Sequence, residues 1–186
     1  MGIYDKVQPD TVITIAAPSG NRCETFAFQA LPASLAELQA CPEAALATPF
    51  QTAALTGLAL CAYASVRKVG QKMLNWLRGP RPLNGHDISF LNDRFRNGKA
   101  YLPFAYFAGA TANNNYTPAL PYTVRVESNH VSGDEPGYMK LFIPCGGADA
   151  PRPIKLRQRG SDGKWFLWEQ YLLTNVRAPV ATDPWT

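Results

Sequence analysis

The chain has few charged residues and few of the residue types that build metal sites. Only 17% of its 186 residues are Asp, Glu, Lys or Arg, and it contains two histidines and four cysteines. No two cysteines have C-x-x-C spacing, and His86 and His130 are far from all of them in sequence. Zinc sites need closely spaced ligand pairs. We therefore expect no metal site, and nothing in the sequence indicates another cofactor.

The sequence also lacks the common catalytic motifs. It has no G-x-S-x-G elbow, no H-E-x-x-H motif, no Walker loop and no G-x-G-x-x-G loop. Both histidines are flanked by turn-forming residues, and we interpret them as exposed loop residues rather than general bases. The sequence therefore identifies no catalytic residue, and it leaves open whether the protein is an enzyme while favouring a protein that is not one.

Targeting and membrane segments are not evident either. The segment from Met1 to Lys6 is not a basic stretch followed by an apolar one, as a signal peptide would be. The most apolar stretch of the chain falls well short of the about 20 residues that a membrane-spanning helix needs. We expect a cytoplasmic protein with reduced cysteines and no membrane partner.

The residues that are present indicate one globular domain. A hydrophobic content of 46% with 11% aromatic residues excludes disorder, and a chain of this length can bury a sizeable core. We divide it into a strand-containing N-terminal segment, a mainly helical region, an ordered loop rich in aromatic residues and asparagine, an antiparallel sheet and a tail. These comprise residues 1–30, 31–98, 99–121, 122–175 and 176–186.

The strongest helix signal begins at Thr48. Thr48 is a good N-cap, Pro49 fits the first helical position, and Gln51 completes a capping box. The helix that follows, to about Ser65, has almost no polar residues on any side. A helix that is apolar all round is buried on all sides, so we predict that it lies at the centre of the core.

Three further helices are predicted around it. A Ser-x-x-Glu capping box at Ser34 predicts a short helix that ends before Pro42. Apolar residues at three- and four-residue spacing predict an amphipathic helix from Val66 to Leu77, which must stop at Gly79 and the proline after it. Another helix is predicted from Asp87 to Asn97.

Strand signals occur at the beginning of the chain and dominate its second half. A β-branched run, Thr11–Ala17, predicts a strand, with Phe26–Phe28 as its short partner. The later strands are predicted at Tyr122–Glu127, Tyr138–Ile143, Ile154–Arg159 and Lys164–Trp168. Helices followed by a meander of strands indicate the α+β class. We expect the N-terminal helices to pack on one face of a C-terminal twisted antiparallel sheet.

A series of motifs makes the chain resemble an uncharacterised bacterial domain family. The motifs are Thr48-Pro49-Phe50-Gln51-Thr52-Ala53-Ala54-Leu55, Gly79-Pro80-Arg81-Pro82-Leu83, Tyr106-Phe107-x-Gly109-Ala110-Thr111, Asn114-Asn115-Tyr116-Thr117-Pro118, Gly147-Ala148-Asp149-x-Pro151-Arg152-Pro153 and Trp165-Phe166-Leu167-Trp168-Glu169-Gln170. The resemblance covers residues 30–186. It implies a bacterial, cytoplasmic, single-domain protein, and it implies no activity, ligand or catalytic residue.

Two features suggest where a small anion could bind. Arg81 and Arg152 each lie between two prolines, which stiffen the backbone and favour an extended conformation. A guanidinium group held in this way can donate two parallel hydrogen bonds to a phosphate or carboxylate. Gly146 and Gly147, close to Asp149, form a glycine-rich loop whose amides could also approach an anion. The alternative is that both features are loop structure, with each arginine paired to a nearby carboxylate and Asp149 bonded to its own backbone.

Charge and aromatic residues are also unevenly distributed. Residues 61–100 contain eight basic and two acidic residues; they could meet an anionic partner, or they could be the solvated faces of helices. No nucleic-acid-binding motif accompanies them, so we do not expect nucleic acid as a partner. A group of aromatic residues could line a pocket or an interface, or pack in the core. It comprises Tyr101, Phe104, Tyr106, Phe107, Tyr116, Tyr122, Trp165 and Trp168.

These observations favour a non-catalytic binding or interaction module whose partner is a protein or a small molecule. The alternative is an enzyme or sensor for a small anionic ligand that binds through Arg81, Arg152 and the Gly146-Gly147 loop. A concave pocket holding both arginines would favour the alternative, and a flat exposed aromatic patch would favour an interaction module.

Overall fold

The protein has an α+β fold in which helices cover one face of an antiparallel sheet, as the sequence predicts. The structure is a computed structural model that describes residues 21–185. Within this range the α-helices are α1 (Leu35–Gln39), α2 (Pro49–Ser65), α3 (Arg67–Arg78) and α4 (Gly85–Arg94). The strands are β1 (Cys23–Phe28), β2 (Tyr122–Glu127), β3 (Tyr138–Ile143), β4 (Arg152–Gln158) and β5 (Trp165–Gln170). Four 3-10 helices of the described residues cover Pro42–Ala45, Lys99–Tyr106, Ala112–Asn114 and Val180–Thr182.

The five strands lie in the order β1-β2-β3-β4-β5, so each strand pairs with its neighbours in the chain. The segment Phe26–Phe28 is part of β1, and it pairs with β2, with Phe26 opposite Val124. The strand predicted at Thr11–Ala17 lies outside the described residues, so its pairing with this segment stays a prediction. Alternate residues of β2, β3 and β4 are buried, which places one face of the sheet against the core.

Helix α2 occupies the centre of the core, as its lack of a polar face predicts. Leu55, Leu58 and Leu60 have no exposed surface, and α2 contacts α3, the 3-10 helix Lys99–Tyr106 and strands β2 to β5. Its buried hydroxyl groups are bonded: the Thr52 hydroxyl donates to the carbonyl oxygen of Trp165 at 2.8 Å. Burial of α2 is therefore compatible with the requirement that buried polar groups have partners.

Helix α3 lies against α2 because of a glycine at the point of closest approach. A Cβ added at Gly70 would lie 2.2 Å from the backbone nitrogen of Tyr63, which is far too close for any side chain. The buried face of α3 continues with Met73, Leu74 and Leu77. Close contact between the two helices thus depends on the missing side chain of Gly70.

The fourth helix begins and ends earlier than predicted. It starts at Gly85 rather than Asp87, because Asn84 is the N-cap and forms a capping box with Asp87. The helix ends at Arg94 rather than Asn97. Asn97 has a φ of 57°, which is incompatible with an α-helix. The start differs because the capping box places Asp87 at the third helical position rather than the first.

The segment between α4 and β2 is ordered, as its aromatic content predicts. It forms two 3-10 helices, and the side chains of Tyr106 and Tyr116 are buried. Their hydroxyl groups donate to the carbonyl oxygens of Leu172 and Arg177, each at 2.6 Å. These bonds tie the loop to the segment that follows β5. Across residues 21–185, no helix is long and apolar enough to cross a membrane.

The capping geometry at Thr48 predicts a measurable loss of stability. The Thr48 hydroxyl accepts a hydrogen bond from the Gln51 amide at 3.3 Å, so Thr48→Ala should lower the free energy of unfolding by about 1 kcal/mol. Ser65→Ala, which removes an exposed hydroxyl from the other end of α2, should change it by less than about 0.5 kcal/mol. Urea denaturation measures both, and equal effects would exclude Thr48 as the cap.

A matched pair of glycine substitutions tests the packing of α2 on α3. Gly70→Ala should destabilise the protein by about 1–3 kcal/mol, because the new methyl group overlaps the backbone of Tyr63. Gly57 lies within α2, and a Cβ there meets nothing within 4 Å. Gly57→Ala should therefore stabilise the protein by up to about 1 kcal/mol. Thermal or urea unfolding in which Gly70→Ala is as stable as the wild type would contradict this packing.

Candidate functional site

The structure does not bring the two Pro-Arg-Pro segments together. Arg81 lies against Trp168, with its guanidinium carbon 3.8 Å from the ring centroid, and Arg157 lies 5.1 Å from the same ring. Arg152 is at the other end of β4 from Arg157, five residues away, which is about 16 Å along an extended strand. It donates instead to the carbonyl oxygen of Asn175 at 2.6 Å. The extended backbone of β4 therefore keeps Arg81 and Arg152 apart.

The amides of the glycine-rich loop bond within the protein. The Gly146 N–H donates to the carbonyl oxygen of Ala105 at 2.8 Å, and the Gly147 N–H donates to the Cys145 sulfur at 3.4 Å. A Cβ at Gly146 would lie 1.9 Å from the carbonyl oxygen of Ala110. The glycines are therefore needed so that residues 99–121 can lie directly against this loop, and their amides are already engaged.

The remaining residue of the sequence-predicted site, Asp149, has a partner that the sequence did not indicate. Its carboxylate accepts a hydrogen bond from Arg177 at 2.8 Å, which lowers the pKa of Asp149, with a smaller contribution from the charge of Arg152. Burial raises the pKa of the nearby Cys145 thiol, so this cysteine is not an activated nucleophile. The geometry around Gly146 and Arg152 thus favours a structural role for this loop.

A different set of residues surrounds Arg81. Helix α3 ends at Arg78, and Gly79 turns the chain with a φ of 58°. A Cβ at Gly79 would lie 2.6 Å from the ring of Phe166, so only glycine allows this turn to lie against β5. Two residues later, Arg81 stacks on Trp168 and donates to its carbonyl oxygen at 2.5 Å. The turn therefore places both Arg78 and Arg81 at the edge of the sheet.

Two more arginines come from the end of β4: Arg157 belongs to the strand, and Arg159 follows its last residue. The predicted alternation of this strand holds: Leu156 is buried, and Arg157 points away from the core. The pairing of β4 with β5 shifts between Lys155 and Leu156, which leaves Trp168 without a direct partner. Such a bulge turns a side chain away from its regular direction. The guanidinium carbon of Arg157 lies near the Trp168 ring, and that of Arg159 lies 4.6 Å from the centre of Phe166.

These elements enclose a cavity of about 260 Å³, which we call the arginine cleft. Its defining residues are Arg78, Arg81, Arg157, Arg159, Phe166 and Trp168. None of the described residues that line it is acidic. The cleft was not foreseen from the sequence, although two signals were present: the outward alternation of β4 and the aromatic motif of β5.

Two of the four arginines have carboxylate partners and two do not. Arg78 pairs with Asp87 at 3.2 Å, and Arg159 pairs with Asp162. Burial lowers the pKa of Arg78, and the charge of Arg81 adds to this effect, while Asp87 opposes it. Within residues 21–185, Arg81 and Arg157 form no ion pair; Arg157 donates to the hydroxyl of Tyr138. The cleft therefore has a surplus of positive charge.

A second cavity, of about 370 Å³, adjoins the arginine cleft and shares part of its lining. We call it the α4 pocket, because α4 forms one of its walls. Its lining includes the apolar side chains of Leu83, Phe90 and Leu91 and the carboxylates of Asp87 and Glu169. Arg78, Arg81, Leu167 and Trp168 line both cavities.

The arrangement is suited to holding an anion rather than to transferring protons. Guanidinium groups stay protonated at physiological pH, and their planar forks match the oxygens of phosphate and carboxylate. Stacking on aromatic rings fixes their orientation before a ligand arrives. Among the described residues, no cluster of His, Cys, Asp and Glu side chains could hold a metal ion.

Fold and site together define an α+β domain whose edge strand, β5, carries a cleft formed by arginines and aromatic rings. Residues 30–180 match the model of the domain of unknown function DUF6935, and the chain belongs to that family. The matched range agrees with the extent of the resemblance seen in the sequence motifs. Comparison with curated proteins and with solved structures gives no match.

The glycine-rich loop provides a test of its structural role. Gly146→Ala should lower the free energy of unfolding by about 1–3 kcal/mol, because its methyl group would overlap the carbonyl oxygen of Ala110. Gly160→Ala is the control, since a Cβ at Gly160 meets nothing within 4 Å; it should be nearly neutral. If chemical denaturation gave the same stability for both variants, the close contact at Gly146 would be wrong.

Proposed function

We propose that the protein is a non-catalytic binding module of the bacterial cytoplasm, and that its ligand carries an anionic group that binds in the arginine cleft. The observation that carries this proposal is the charge of the cleft. Four guanidinium groups line one cavity without an acidic residue among its described lining, and within residues 21–185 Arg81 and Arg157 have no carboxylate partner. Like charges gathered in this way repel, and a bound anion would relieve the repulsion.

The aromatic residues of the cleft orient its arginines, and this supports a binding site rather than an unspecific patch of positive charge. The guanidinium carbons of Arg81 and Arg157 lie 3.8 and 5.1 Å from the centre of the Trp168 ring. A guanidinium group that stacks on a ring presents its N–H groups at the edge of its plane. Arg81 uses one of its nitrogens to donate to the carbonyl oxygen of Trp168, and Arg157 uses one to donate to the Tyr138 hydroxyl, so other N–H groups remain for a ligand. Because less side-chain freedom is lost when the ligand binds, such preorganised groups bind an anion more tightly than mobile surface arginines do.

The chemistry of the other residues supports a module without catalysis. Burial raises the pKa of the thiols of Cys61 and Cys145, which disfavours the reactive thiolate form. All four cysteines are free, including the exposed Cys23. Free cysteines are typical of the reducing environment of the cytoplasm.

Calorimetric titration with inorganic pyrophosphate at low ionic strength tests the proposal. The wild type should bind pyrophosphate, and Arg157→Gln should weaken binding by about tenfold or more, because a hydrogen bond to a charged group contributes about 1.5–3 kcal/mol. Arg125→Gln is the matched control: Arg125 is an exposed arginine of β2 whose partner is Glu127, and it does not line the cleft. Its substitution removes the same charge and should leave the affinity nearly unchanged.

Two results would contradict the proposal. One is the absence of binding to the wild type. The other is an equal loss of affinity in Arg157→Gln and Arg125→Gln, which would indicate attraction by net charge rather than binding in the cleft. Melting temperatures of the two variants show whether either substitution disturbs the fold.

A further inference from the structure

The arginine cleft and the α4 pocket lie side by side, and the two cavities differ in chemistry. They meet at the stack of Arg81 on Trp168, because both residues line both cavities. Their volumes of about 260 and 370 Å³ are each at or near the lower end of the range of ligand pockets, which begins at about 300 Å³. A ligand that occupies both would extend along the edge of the sheet beside β5.

The charges that line the α4 pocket are balanced, in contrast to those of the arginine cleft. Its two arginines face two carboxylates: Arg78 pairs with Asp87 at 3.2 Å, and Glu169 accepts a hydrogen bond from the Tyr171 hydroxyl at 2.8 Å. A second anionic group would gain little there, because the carboxylates of Asp87 and Glu169 would repel it. Of the two cavities, only the arginine cleft is therefore suited to binding an anion.

The α4 pocket instead offers apolar surface. Phe90 has 38% of its surface exposed, and it lines the pocket wall together with Leu83 and Leu91. Apolar surface that remains exposed in a concave site can be buried by an apolar part of a ligand. An inorganic anion in the cleft would leave this surface in water.

From these differences we infer that the ligand is a small organic phosphate, with its phosphoryl group in the arginine cleft and an apolar, ring-sized part in the α4 pocket against Phe90. This inference rests on the proposed function, and it adds the chemical class of the ligand. A phosphoryl group is favoured over a carboxylate because its three terminal oxygens can accept hydrogen bonds from more donors than the two oxygens of a carboxylate.

Titration with three probes tests the inference: inorganic phosphate, phenyl phosphate and benzoate. Phenyl phosphate should bind at least tenfold more tightly than inorganic phosphate, and benzoate should bind more weakly than phenyl phosphate.

Phe90→Ser should remove the advantage of phenyl phosphate and leave the affinity for inorganic phosphate unchanged. Arg157→Gln should weaken the binding of both phosphates. Val131→Ser, at an apolar residue of similar exposure outside both cavities, should have no effect.

A second measurement does not depend on a variant. In a two-dimensional NMR spectrum of the wild type, phenyl phosphate should shift the backbone amide signals of Phe90 and Leu91, and inorganic phosphate should not. If Phe90→Ser lost its fold, this comparison would decide the question.

Failure of the inference and failure of the proposed function give different results. Equal affinity for the two phosphates, with both depending on Arg157, would overturn the apolar part of the inference and retain anion binding in the cleft. Benzoate bound as tightly as phenyl phosphate would overturn the choice of a phosphoryl group. No binding of either phosphate would overturn the inference, and no binding of pyrophosphate either would also overturn the proposed function.

Discussion

Helix α2 has no polar face, so every side of it must be covered by another part of the chain. The sheet covers one side, α3 covers another across the contact at Gly70, and residues 99–106 cover a third. Most of the remaining structure follows from this requirement. The aromatic residues between α4 and β2 are ordered because they cover the remaining side of α2. The hydroxyl groups of Tyr106 and Tyr116 form hydrogen bonds that connect these residues to the C-terminal segment.

The same requirement explains how β5, an edge strand of the described sheet, is protected. Trp165 donates to the carbonyl oxygen of Leu46 and accepts a hydrogen bond from Thr52 on α2, while the carbonyl oxygen of Trp168 accepts one from Arg81. Unpaired backbone groups at a sheet edge can pair with another chain. Bonds from α2 and from the turn after α3 satisfy part of this edge, and in doing so they bring Arg81 next to the arginines of β4.

The arginine cleft is therefore a consequence of how the edge of the sheet is closed, and its charge distinguishes it from a purely structural contact. One hydrogen-bond donor is enough to satisfy a carbonyl oxygen at a sheet edge. Four arginines line the cavity at this edge, which is more than closing the edge requires. An aromatic ring stabilises a guanidinium group that stacks on it. The rings in this cleft are those of Trp168 and Phe166, which both belong to the same short motif of β5.

The sequence by itself determined the α+β class, the central buried helix, the cap at Thr48 and the strands from β2 to β5, because capping and hydrophobic periodicity act over a few residues. It also predicted that Arg157 and Arg159 point outward.

Only the tertiary structure decided which arginines share a site. Arg81 meets Arg157 rather than Arg152, because the turn at Gly79 fits against Phe166 while the extended β4 holds Arg152 at its far end. The placement of arginines from different elements in one cleft depends on contacts between residues far apart in sequence, and local sequence patterns do not encode such contacts.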